Sequence, residues 1–200
     1  MTETILRYLA AHYIELLASL FGVIYVILAI RENIWCWIAG IVNVSLYIFV
    51  FWQSRIYGMM GLQTIYLLMS IYGLILWAGF IRRKNSKGEL PVTNMPGRLR
   101  WMIFGATLIA ALLTGYLLSF TDNQIPYMDG LTSAMGLAAT WMTARKYLEN
   151  WLVWIVNDAI CVALYAYMGL WLTMVLYLIF AIMAVVGYFA WKKSMKTGMA

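Results

Sequence analysis

The stretch YIELLASLFGVIYVILAI-REN-IWCWIAGIVNVSLYIFVFW, residues 13–52, decides the fold. Its two apolar runs, Tyr13–Ile30 and Ile34–Trp52, each approach the roughly 20 residues that a helix needs to cross a hydrocarbon core of about 30 Å. Only Arg31, Glu32 and Asn33 separate them, which is room for a tight turn. In lipid such a pair folds as a helical hairpin, because every backbone polar group must be satisfied within its own helix.

Five further runs follow outward from this hairpin: Tyr57–Ile81, Trp101–Phe120, Pro126–Ala144, Trp151–Met168 and Trp171–Trp191. The rest of the composition agrees. The chain is 64% hydrophobic and 11% charged, with a mean hydropathy of +0.81, against roughly 25% charged for a soluble domain. Trp35, Trp52, Tyr57, Trp101, Trp151, Trp171 and Trp191 crowd the ends of the runs, as interfacial aromatic belts do. The first twelve residues are polar and mixed, so no cleavable signal peptide is expected. Seven transmembrane helices in an all-α integral membrane protein are therefore predicted.

The charge pattern orients them. Arg31, Arg82, Arg83, Lys84, Lys87, Arg98, Arg100, Arg145, Lys146, Lys192, Lys193 and Lys196 fall on the side of the C-terminus, and only Arg7 and Arg55 on the other. The positive-inside rule then expects the C-terminus in the cytoplasm and the N-terminus outside. On this reading the net charge of +6 belongs to loops facing lipid headgroups, and it does not indicate nucleic-acid binding.

An internal repeat is visible. At an offset of 114, Glu15, Ser19, Gly22 and Arg31 fall on Asp129, Ser133, Gly136 and Arg145. With three residues inserted, Glu32, Asn33 and Trp37 fall on Glu149, Asn150 and Trp154, and Gly58 and Tyr66 later align with Gly169 and Tyr177. Two three-helix repeats, 13–81 and 126–191, are thus expected. Since three is odd, the helix at 101–120 restores a parallel orientation, giving the 3+1+3 plan of SWEET transporters, with a site near mid-membrane between the halves. Gly58 and Gly61 are read as close-packing residues.

Polar residues inside such spans mark function. Trp151, Trp154, Asp158 and Tyr165 share one helical face of the sixth span, with Asn157 beside them. Indole faces next to a carboxylate suit a flat cationic ring; the competing role is interfacial anchoring plus an interhelical bond. Asn43 and Tyr47 on the second span, and Gln63 and Tyr66 on the third, offer hydrogen bonds to cargo or to neighbouring helices. Glu15 and Asp129 match one another near the outer ends of the first and fifth spans, where gating or structural roles are expected. Cys36 and Cys161 read as small buried hydrophobes. The chain carries no metal-type cluster, no phosphate loop and no nucleophile arrangement, so neither a cofactor nor enzyme chemistry is expected.

Arg145-Lys-Tyr-Leu-Glu149-Asn-Trp151-Leu-Val-Trp154, ending at Asp158, resembles the sixth-helix signature of the PnuC family of vitamin transporters. Asn43, Gln53, Tyr57, Gln63 and Ile71-Tyr72-Gly73 resemble its first half, as does Pro126-Tyr-Met-Asp129 at the fifth span, although Met128 stands where that family often has an aromatic. The resemblance implies a SWEET-like fold and uptake of nicotinamide riboside by facilitated diffusion at a bacterial inner membrane. It implies trapping of the cargo by a cytosolic kinase and a homo-oligomer, a trimer, as well. By the same resemblance Trp151, Trp154 and Asp158 line the site, with Gln63 and Asn43 nearby. A thiamine carrier, a proton-coupled carrier using Asp158 or Glu15, an intramembrane enzyme and a structural bundle remain the alternatives.

Overall fold

A computed structural model describes residues 2–79 and 90–197, with side chains from 13 onward except that of Glu15. The described residues form seven helices: α1 (Thr2–Ile30), α2 (Trp35–Gln53), α3 (Tyr57–Trp77), α4 (Gly97–Leu118), α5 (Pro126–Ala144), α6 (Asn150–Tyr167) and α7 (Trp171–Thr197). Each contains or overlaps one apolar run, with α1 beginning at Thr2, ahead of the run that starts at Tyr13. The deviations are at the ends, where hydropathy is a weak guide. α3 stops at Trp77 because Gly79, at φ +83°, turns the chain into the left-handed region. α4 starts directly after Pro96, which cannot supply an intrahelical N–H. α7 continues to Thr197, where Lys196 lies in the last turn and complements the helix dipole.

Five of these helices (α2, α3, α4, α6, α7) are long and apolar enough to cross a membrane, and α1 carries a shorter apolar segment, Leu16–Ile30. α5 is less apolar because it is packed inside the protein. Gly130, Ala134, Gly136, Ala139, Thr140 and Thr143 are buried along it, and small residues allow neighbouring backbones to come close. Six helices pack in a ring in the order α1, α2, α3, α5, α6, α7 and back to α1, while α4 lies outside against α5. At the α4–α5 contact a Cβ on Gly130 would stand 2.6 Å from Gly115 N and 2.7 Å from Ala111 O.

One end of the ring is sealed by tryptophan. Trp37 and Trp77 meet edge to face at 5.6 Å, and Trp151 and Trp191 do so at 5.4 Å, both with ring planes 89° apart. Each pair needs a missing side chain: a Cβ on Gly73 would lie 2.5 Å from the Trp37 ring, and one on Gly187 would lie 2.7 Å from Trp151. Trp77 and Trp191 touch at 6.2 Å. Their indoles then cross over, Trp77 Nε1 donating to Ala144 O (3.1 Å) and Trp191 Nε1 to Ala29 O (2.9 Å). Trp37, Gly73 and Trp77 stand 114 residues before Trp151, Gly187 and Trp191. Packing thus follows the ungapped offset, in which Trp37 matches Trp151, and not the three-residue insertion that matched it to Trp154.

Arg31 and Lys146 lie at the same end, beside Trp77. α1 and α5 both finish in left-handed residues, Glu32 (φ 54°) and Lys146 (φ 52°). Each is followed by the same pair of closing bonds: Glu32 N to Ala29 O and Asn33 N to Leu28 O, then Lys146 N to Thr143 O and Tyr147 N to Met142 O. Lys146 Nζ bonds Glu32 Oε2 at 2.7 Å and sits 4.5 Å above the Trp77 ring. The end of the long linker is pinned here too. Thr93 exchanges backbone bonds with Lys146 and Leu148, and the Glu149 carboxylate accepts from Met95 N and pairs with Arg100. Gly58 and Gly61 differ from expectation: a Cβ on either would meet nothing within 4 Å, so neither is a close-packing residue within the chain.

Candidate functional site

Between the ring helices lies a cavity of about 560 Å³, running from Asp129 and Met59 near the end opposite the basic residues down to Ala29, Ala184 and Trp151. Every predicted site residue whose side chain is described borders it. Asn43 and Tyr47 come from α2, Gln63 and Tyr66 from α3, Asp129 from α5, and Trp151, Trp154, Asn157 and Asp158 from α6. The side chain of Glu15 lies outside the described residues. Four helices are needed to gather them, and each presents its polar side chains on the face that the ring turns inward.

Their surroundings differ. Asn43 donates to Ala18 O at 2.6 Å, an approach opened by Gly22, where a Cβ would lie 3.2 Å from Asn43 Nδ2. Tyr47 shares a 3.1 Å bond with Ser19. Asp129 is in the first turn of α5 and accepts from Asn123 Nδ2 at 2.8 Å, so it braces the loop that enters the helix. Trp151 is 3% exposed and belongs to the tryptophan seal, where it forms part of the cavity floor. Trp154 is only half-buried and borders the space one turn higher. The two indoles therefore do not form one stacked pair.

Asp158 and Asn157 are buried, at 4% and 5% exposure. Among the described residues no basic side chain pairs with Asp158, and Asn157 Oδ1 makes no hydrogen bond. A buried carboxyl without a protein cation, next to an indole, favours a positively charged aromatic guest. Tyr165 and Tyr177, 5.1 Å apart, form a second aromatic wall. Tyr177 was not among the predicted site residues, and neither was Tyr25, which also borders the cavity. The ungapped offset was the signal for Tyr177, since it places that residue opposite Gln63, as it places Asn157 opposite Asn43.

The chain is similar to known proteins over most of its length. The profile described as "Nicotinamide mononucleotide transporter" matches residues 12–193. The Escherichia coli K12 protein named "Nicotinamide riboside transporter PnuC" is 23% identical over 205 residues, covering 91% of this chain and 86% of that protein. A Haemophilus influenzae protein of the same name is 24% identical, covering 92% and 81%. The structure titled "Crystal structure of the Vitamin B3 transporter PnuC" superposes with a TM-score of 0.75 at 20% identity, over 98% of this chain and 87% of that one, which shows a shared fold. Since the profile spans nearly the whole length, this chain belongs to the nicotinamide mononucleotide transporter family.

Proposed function

We propose that this protein carries nicotinamide riboside across a bacterial inner membrane by facilitated diffusion. The observation that carries the reading is the placement of Trp154 beside the buried Asp158, which has no ion-pair partner among the described residues, in a cavity of about 560 Å³, a size within the usual range for small-molecule sites. The pyridinium ring fits against the indole with its charge toward the carboxyl, and the ribose hydroxyls face the amide and hydroxyl groups of Gln63, Asn43 and Tyr66. Transport is read as uniport, with a cytosolic kinase trapping the product. The names of the E. coli and H. influenzae relatives support the choice of cargo.

The mechanism is read as alternating access between two parallel three-helix halves, 13–81 and 126–191, joined through α4. What supports it is the arrangement of contacts. Among the described helices the halves pack chiefly along α3–α5 and α1–α7, and the tryptophan seal repeats at a constant offset. The basic end, read as cytoplasmic from its charge, is closed by the crossed indole bonds and the Glu32–Lys146 pair, which must part for release.

Titration calorimetry of the purified protein with nicotinamide riboside, thiamine and riboflavin tests the reading. Binding of nicotinamide riboside, weakened at least about tenfold by Trp154→Ala or Asp158→Asn, is expected. A preference for thiamine would replace the cargo, and binding of none of the three would overturn the proposal.

A further inference from the structure

We infer that Gly136 is a positioning residue for transport: it forms a notch that seats the Tyr66 hydroxyl and so fixes the wall of the cavity beside Trp154. This rests on the reading of the cavity as the cargo site. A Cβ at Gly136 would run directly into Tyr66 Oη. Its next neighbours are Tyr66 Cζ at 3.6 Å and Trp154 Cη2 at 3.8 Å, both ordinary contacts. The tyrosine thus approaches α5 hydroxyl first, and only one atom depends on the missing side chain.

The place in the fold gives the notch its importance. Tyr66 is on α3, Gly136 on α5 and Trp154 on α6, and α3–α5 is one of the two seams between the halves. The residue 114 positions earlier, Gly22, also admits a polar side chain, but that is Asn43, which then bonds Ala18 O on the same helix as Gly22. Gly22 therefore joins α1 to α2 within one half, whereas Gly136 joins the halves. Tyr66 and Trp154 both border the cavity. Moving the tyrosine outward would change the space left for an aromatic guest against Trp154 and would pry the seam apart.

The test uses the full chain with Gly136→Ala, Tyr66→Phe and both together, reading nicotinamide riboside affinity by calorimetry and the thermal midpoint in detergent. Gly136→Ala is expected to weaken binding by about tenfold or more and to lower the midpoint, by overpacking. Tyr66→Phe alone is expected to cost only the few-fold effect of one hydroxyl. The double variant is expected to return to the Tyr66→Phe values in both readouts, since the colliding atom is gone. A double variant as impaired as Gly136→Ala, or a Gly136→Ala protein that matches wild type, would overturn the inference. If wild type bound no vitamin, the cargo assignment would fall, while rescue of the midpoint would still decide the notch.

Discussion

Glu32 and Lys146 form an ion pair whose members are unequally buried, and that inequality sets a sharp expectation. The Lys146 side chain is 4% exposed and that of Glu32 is 19% exposed. Glu32→Gln removes the negative charge and strands an ammonium in the interior. Breaking a buried pair from one side costs about 3–5 kcal/mol. Here the Trp77 face, 4.5 Å from Nζ, and the remaining amide oxygen offset part of that loss, leaving about 2–3 kcal/mol. Lys146→Met keeps the stem packed on Trp77 and leaves a carboxylate that reaches water, costing about 1–2 kcal/mol. The double variant contains no stranded charge, so adding Lys146→Met to Glu32→Gln is expected to raise stability. In a chain of this length 1 kcal/mol moves the midpoint by about 2–4 °C, so Glu32→Gln should lower it by about 4–12 °C. Thermal unfolding of the four proteins in one detergent measures this. A Lys146→Met variant less stable than Glu32→Gln, or a double variant less stable than either single, would refute the reasoning.

Two glycine contacts give further expectations. Gly73→Ala and Gly187→Ala, whose Cβ atoms would press on the Trp37 and Trp151 rings, should each cost about 1–3 kcal/mol. By contrast Gly58→Ala and Gly61→Ala, with open space at the Cβ, should be neutral or stabilising by up to about 1 kcal/mol; thermal midpoints of the four variants separate the groups. Gly130→Ala would meet the backbone of α4, which cannot rotate away as a side chain can. A loss of about 3 kcal/mol is expected, together with faster limited proteolysis between α4 and α5, while the Trp154 contacts and cargo affinity are spared.

Much of this protein is written in local pattern. Run lengths such as Tyr13–Ile30 and Ile34–Trp52 determined the helices, because satisfying the backbone in lipid is a requirement each segment meets alone. Asp158, Asn43 and Gln63, which border the cavity, stood out in the sequence for a similar reason: a polar group in an apolar run carries its cost wherever the run packs. The family signature around Trp151 and Trp154 was legible too, but the division of labour between those indoles was not. They stand three positions apart on α6, yet Trp151 enters the seal because Gly187 of α7 makes room for its ring, and Trp154 remains at the cavity. The ungapped offset was present in the sequence, but matching Trp37 to Trp151 or to Trp154 is equally good as a pattern. Only the helix-to-helix contacts choose between them. The sequence by itself thus determined which segments are helices and which polar groups lie among them. The tertiary structure decided the order of the ring, the crossed bonds of Trp77 and Trp191, and the Gly136 notch, because each depends on atoms from distant helices arriving within a few ångströms, and no periodicity along one helix encodes the face of another.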